Sequence, residues 1–113
     1  MAKCIFCSIG SGQIPAPILF KDDLCFVIRD INPVAPTHLL VIPHQHVTSL
    51  AGLNPEQESV VGHMLTVAEE MARREGVSRN GFRLVINQGR NAGQGAEHLH
   101  LHVLGGKLLP DLG

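Results

Sequence analysis

His98-Leu99-His100-Leu101-His102-Val103 alternates an imidazole with an aliphatic side chain at every step. Successive side chains of a β-strand point to opposite faces, whereas a helix would scatter this pattern around its circumference. The stretch therefore reads as a strand with three histidines on one face and Leu99, Leu101 and Val103 on the other. An aliphatic face needs a covering layer, and a helix elsewhere in the chain must supply it. On the histidine face, residues two apart lie roughly 6.5–7 Å apart at the backbone. Three rings can surround one small ligand or serve different partners. An ordinary solvated strand face would use Thr, Lys and Glu instead.

The covering helix is legible. Asn54-Pro55-Glu56-Gln57 offers an N-cap, a proline at the first helical position and a glutamine at N3. Behind it Val60, Val61, Met64, Leu65, Ala68, Met71 and Ala72 recur at helical spacing and predict the buried face. His63, Thr66, Glu70 and Arg73 fall on the opposite face, and Gly76 is the expected stop. Elsewhere prolines 15, 17, 33, 36 and 43 keep the elements short. Strands are expected at 18–20 and 24–29, joined by a turn at Asp22-Asp23, and at 38–42, ended by Pro43. Two more are expected at 82–87 and from Ala96 to about Leu104. Strands joined by short links around one long helix indicate an α+β fold with a mostly antiparallel sheet.

Composition sets the outer limits. At 113 residues, 44% hydrophobic and 17% charged, the chain is expected to form a single domain over 1–113 with its own core. A net charge of −1 points to no nucleic-acid partner, and no apolar run approaches a membrane span. The first residues do not read as a secretory signal, and three cysteines make a poor disulfide framework. A cytoplasmic location is expected.

Directly before the histidine strand lies Asn87-Gln88-Gly89-Arg90-Asn91-Ala92-Gly93-Gln94-Gly95. Glycine-rich loops permit close backbone approach, and their successive N–H groups can form an anion-binding concavity. Followed at once by three facing histidines, the loop reads as a phosphate site. A neutral imidazole is a good nucleophile toward phosphorus, and neighbouring rings can remain cationic to hold the anion.

These residues resemble the histidine triad family, in which three histidines alternate with apolar residues. The resemblance extends to Cys25–Val47, including Arg29-Asp30-Ile31-Asn32-Pro33 and Ala35-Pro36-Thr37-His38. It also takes in Arg83-Leu84-Val85-Ile86-Asn87, Gly93-Gln94, and Leu104-Gly105-Gly106. It is closest to the Hint branch and implies a purine-nucleotide-binding homodimer. Each subunit would carry a five-stranded antiparallel sheet, one long helix and a short N-terminal helix. The resemblance makes His100 the nucleophile that takes the α-phosphate covalently, and His102 the residue that hydrogen-bonds the phosphate beside it. Gly93, Gln94 and Gly95 match the phosphate cradle, Asn87 a ribose–phosphate contact, and Asp30 the acceptor of the ribose hydroxyls. Phe6, Ile9 and Ile31 sit where the family lines its base pocket. The implied activity is hydrolysis or transfer at the α-phosphate of a nucleoside phosphoramidate or related AMP conjugate. The alternative is a nucleotide-binding signalling or scaffold module. Two departures bear on substrate choice: Gly95 stands where the Hint branch usually has serine, and the C-terminus lacks a tryptophan-containing tail.

Cys4 and Cys7 form a Cys-x-x-Cys pair. Only three residues precede it, too few for the strand of a thioredoxin-like redox motif. As half of a zinc site it needs two more ligands, and two buried unpaired thiols are the alternative. Relatives of the family that carry this pair imply His46 and His98 as the remaining ligands of a structural zinc. The competing reading places all three triad histidines on one catalytic zinc. His38 is expected to support the triad, His44 and His63 to face solvent, and Cys25 to be a small buried hydrophobe. A backbone carbonyl is expected to orient the outer nitrogen of His100.

Overall fold

The computed structural model describes residues 4–112. Its elements are helix α1 (Ile5–Gly10) and strands β1 (Phe20–Lys21), β2 (Cys25–Arg29) and β3 (Thr37–Pro43). They are followed by helix α2 (Pro55–Arg74), strand β4 (Phe82–Val85), a 3-10 turn (Arg90–Ala92) and strand β5 (Leu101–Gly105). The five strands form one antiparallel sheet in the order β1-β2-β3-β5-β4. The fold is α+β, as the sequence implies.

Helix α2 has the expected ends. Asn54 Oδ1 accepts the Gln57 N–H at 2.8 Å while Gln57 Oε1 accepts the Asn54 N–H at 3.0 Å, a reciprocal capping box. At the other end Gly76, at φ 77°, donates to Arg73 O and Val77 donates to Ala72 O. That pair closes the helix as a Schellman motif, which needs a left-handed residue after the cap. The buried face is Val60, Met64, Val67, Ala68, Met71 and Ala72. Leu65, expected inside, is 44% exposed, and Val67 takes its place in the core.

One face of the sheet carries Cys25, Val27, Leu39, Val41, Leu101 and Val103, which pack with Leu99 against α2. The other carries Phe26, Ile28, Leu40 and Ile42, covered by Phe6 and Ile9 of α1. Strands β2 and β3 are nearly continuous runs of apolar residues for this reason: both of their faces are buried. The histidine face of the last strand is covered too, so it does not read as a solvated surface.

The last strand is shorter than expected. Its ladder with β3 runs from Thr37 opposite Gly105 to Val41 opposite Leu101. The same register would bring Leu99 opposite Pro43, which has no N–H to donate. Leu99 instead donates to Val47 O at 2.7 Å, and His98, in a bend, together with Leu99 and His100 lies outside the ladder. Strand β4 stops at Val85, two residues short of the expected end, and β1 begins at Phe20. No helix among the described residues is long and apolar enough to cross a membrane.

Candidate active site and metal centre

The histidine face holds two adjoining clusters. At the end of β3, Cys4 Sγ lies 3.2 Å from His98 Nδ1. Cys7 Sγ lies 3.3 Å from His46 Nδ1 and 3.6 Å from His98 Nδ1. All four ligand atoms are within 4.8 Å of one another. A tetrahedral zinc with sulfur at about 2.3 Å and nitrogen at about 2.0 Å sets sulfur–nitrogen edges of about 3.5 Å. The donor set fits that figure. His98 is fully buried, and its Nε2–H donates to Pro43 O at 2.8 Å, which leaves the Nδ1 lone pair facing the sulfurs. A ring whose outer nitrogen is held by a carbonyl has the tautomer a metal ligand requires. Burial holds the His98 pKa below the usual histidine range despite that carbonyl, and repulsion from His46 and His100 adds to it. Of these ligands only His46 is exposed, so the centre sits at the rim of the fold.

The second cluster is built around His100 and His102. His100 is 8% exposed, and its Nδ1–H donates to the carbonyl of His98 at 2.8 Å. A carbonyl only accepts, so the proton is on Nδ1 and the lone pair is on Nε2. The expected orienting carbonyl is thus that of a metal-ligand candidate. The tautomer of His102 follows from a longer chain. The Val34 N–H donates to His38 Nδ1 at 3.1 Å, so His38 carries its proton on Nε2. That nitrogen lies 2.9 Å from His102 Nδ1 and 3.3 Å from Asp30 Oδ2. His102 Nδ1 therefore accepts, and its remaining N–H is on Nε2. The two rings of the pair are fixed in opposite senses: His100 offers a lone pair at Nε2, and His102 a proton.

The expectation that rings beside the nucleophile stay cationic does not hold for these two supports. Burial, with repulsion from His100 and His38, pushes His102 down to about 4, Asp30 only partly opposing it. Burial likewise lowers His38. Both rings are neutral at pH 7 and act as dipoles rather than charges.

The other residues read from the sequence are distributed around this pair. Asp30 sits at the end of β2, with Oδ1 accepting the Asn32 N–H at 2.8 Å. Val85 pairs with His102 at the end of the ladder, and Asn87 follows two residues beyond it. In the glycine-rich loop, Gly89 (φ 85°) and Gly93 (φ 79°) flank the 3-10 turn in conformations that favour glycine. Gln94 braces the loop, accepting the Gly89 N–H at 2.7 Å and donating to Ala96 O at 3.1 Å. Gly93 and Gln94 direct their own N–H groups to Arg90 O and Gly89 O. No described residue accepts from the N–H of Gly95. Phe6 and Ile9 are core residues of the α1 layer, whereas Ile31 is 91% exposed in the β2–β3 loop.

Two surface expectations are corrected. His63 Nε2 lies 2.6 Å from Asp22 Oδ2, which ties α2 to the β1–β2 turn. His44 donates from Nε2 to Asp22 O and stacks on Phe26 at 5.3 Å. The same Asp22 accepts the Leu24 and Cys25 N–H groups through Oδ1. Desolvation of this carboxyl is outweighed by the His63 bond and those two backbone donors, and its pKa falls to about 2. Cys25 is fully buried, as expected of a small hydrophobe, and burial lifts its thiol to about 12.

An antiparallel sheet that ends in alternating, tautomer-locked histidines beside a glycine-rich loop defines the class. The chain belongs to the HIT domain family, whose model matches residues 11–108. A purine nucleoside phosphoramidase of Escherichia coli (strain K12) is 42% identical over 107 residues, covering 95% of this chain and 90% of that protein. A histidine triad protein from Clostridium difficile superposes with a TM-score of 0.92 at 39% identity, over all of both chains. A Zn-bound histidine triad family protein from Mycobacterium smegmatis gives a TM-score of 0.80 at 36% identity, covering 92% of this chain and 75% of that one. Cys4 and Cys7 lie outside the residues the family model matches.

Proposed function

We propose that the chain is a nucleotide hydrolase that cleaves a purine nucleoside phosphoramidate, or a related AMP conjugate, at the α-phosphorus. The observation that carries this reading is the opposite locking of the two histidines. His100 Nε2 attacks phosphorus, the new N–P bond replaces the bond to the leaving group, and the amine departs with a proton taken from solvent. His102 Nε2–H and the Gly95 N–H hold the phosphoryl oxygens as charge develops, with Gly93 and Gln94 shaping the loop. Water then hydrolyses the nucleotidyl-histidine and restores the ring. Asp30 accepts from the ribose hydroxyls, Asn87 contacts the ribose–phosphate junction, and the base lies against Ile31 with Phe6 and Ile9 behind. His38 supports His102. The named activity of the Escherichia coli relative is consistent with this chemistry.

Cys4, Cys7, His46 and His98 would hold a structural zinc, which closes its own coordination sphere and leaves no position for substrate. The Zn-bound relative supports that assignment. It also leaves His100 and His102 free, unlike a zinc on all three triad histidines. A homodimer and a cytoplasmic location complete the reading. The three free thiols suit a reducing compartment, and the outer edge of β4 offers an unpaired ladder to a second copy.

The test is phosphoramidate hydrolysis by the wild type and by His100→Ala. The variant should lose turnover and keep AMP affinity, and the wild type should yield a nucleotidyl-protein adduct in mass spectrometry. Unchanged turnover in His100→Ala would sink the assignment. Tight nucleotide binding with neither adduct nor turnover in the wild type would make the protein a binding module.

A further inference from the structure

Phe6 lies between the two cysteines of the Cys4–Cys7 pair, on the one turn of helix that presents both sulfurs. Its ring meets the metal-ligand candidate His98 edge-on, with centroids 5.7 Å apart and planes at 85°. The same ring lies 5.1 Å from the His100 ring at 55°. Phe6 and His100 are each 8% exposed, so one aromatic side chain covers both imidazoles. A six-residue helix is too short to hold itself in water. What fixes α1 is its two anchors: the sulfur–imidazole cluster at its start, and Phe6 and Ile9 in the core. Cys4 Sγ also accepts the Cys7 N–H at 3.4 Å, which locks the turn around Phe6.

We infer that Phe6 is a positioning residue for His100, and that a metal bound by Cys4, Cys7, His46 and His98 holds it there. Two physical routes join the centre to His100. The carbonyl of His98 fixes the Nδ1–H, and the Phe6 ring, carried on the helical turn between the two cysteines, excludes water and restricts the ring's rotation. Loss of the metal frees the sulfurs, releases α1 and uncovers His100, while the sheet strands and α2, which contribute no ligand to the centre, persist. The inference rests on the hydrolase reading only for its kinetic arm.

The test compares zinc-loaded wild type with chelator-stripped protein. Modification of His100 by diethyl pyrocarbonate, followed by mass spectrometry, reports its accessibility. Stripping should raise the His100 modification rate by roughly an order of magnitude while far-ultraviolet circular dichroism keeps its sheet and helix signal. Phe6→Ala, checked to retain its zinc, should expose His100 to a similar degree, and Phe6→Leu, which keeps bulk, should recover most of the protection. In the same zinc-loaded Phe6→Ala protein, kcat for a nucleoside phosphoramidate should fall because a misoriented nucleophile slows chemistry, whatever rise in KM the loss of the ring behind the base adds. If the stripped chain unfolds, the zinc-loaded variants decide. Unchanged His100 reactivity in zinc-loaded Phe6→Ala overturns the inference, and so does a change confined to KM, which would make Phe6 only a contact for the base. Turnover surviving in His100→Ala would instead overturn the hydrolase reading and leave the reactivity result standing.

Discussion

Acidification should destabilise this protein well before its carboxylates titrate, and His102 should account for a measurable part of the loss. The ring is held at about 4 in the folded state, against 6.5 for an ordinary histidine. The displacement corresponds to about 3 kcal/mol of preference for the neutral ring. The sign follows from linkage. A native pKa below the unfolded one means the unfolded chain binds the proton first, so stability is fully present above pH 6.5. It declines as the pH falls and is wholly lost below about 4. At pH 4.5 the deficit from this ring is about 2–3 kcal/mol, a large part of the stability of a small domain. His38 and His98 are displaced in the same direction and add to the slope. The assay is urea unfolding from pH 7.5 to pH 4.5, run on the wild type and on His102→Gln. The variant keeps an acceptor for the His38 Nε2–H and leaves the metal ligands intact, so acid release of metal cancels in the difference. The wild type should lose about 2–3 kcal/mol more than the variant over this range. Parallel curves would refute the assignment of a buried neutral ring, as would a His102 proton resonance that titrates near pH 6.5.

Three further outcomes are expected. His38→Ala removes the donor that fixes His102, frees its proton to sit on either nitrogen, and should lower kcat by roughly 10- to 100-fold, the equivalent of one lost transition-state hydrogen bond. Steady-state phosphoramidate kinetics check this, with nucleotide affinity as the control. Asp22→Ala removes the acceptor of His63 and two backbone N–H groups and should cost about 1–2 kcal/mol at pH 7. Because the Asp22 pKa is lowered, that contribution should fade as the pH falls from about 4 to about 2, which thermal melts across this range would show. Gly105→Ala places a Cβ 2.9 Å from the Val77 Cβ in the packed layer between β5 and the end of α2. It should cost about 1–3 kcal/mol by overpacking, read as a lowered Tm, and Val77→Ala in the same chain should restore much of the loss.

What could be read from the sequence was local and periodic. The capping box at Asn54 and the glycine after Arg74-Glu75 specify their geometry within a few residues and appear in the structure, whereas of the His98–Val103 alternation only the part from Leu101 onward is strand. The place of Val67 in the core was legible but overlooked, since it stands three residues after Met64 and four before Met71, whereas Leu65 lies roughly 200° from it around the helix, at the far edge of the stripe, and stays 44% exposed. A real limit applies to His63. On helical spacing it belongs to the outer face, and nothing local announces an aspartate 41 positions earlier. The tautomers were also hidden, since they depend on the Val34 N–H and the Pro43 carbonyl, backbone groups that carry no sequence signal. The carbonyl behind His100 could be expected as a class of partner, but its owner, His98, emerges only from the fold.

Pro43 shows how an interrupted sheet can be of use. Where β3 reaches it, pairing with the last strand stops, and two main-chain oxygens near the break are left to side chains: that of Pro43 holds the His98 ring, and that of His98 holds the His100 ring. A residue with an N–H at this position would extend the pairing and draw the His98–His100 segment into a regular ladder. The strand would gain regularity and both rings would lose their acceptors. Thermal stability and turnover should therefore move in opposite directions when Pro43 is replaced by a strong strand former such as valine. A search for stabilising substitutions in this chain should leave that proline in place.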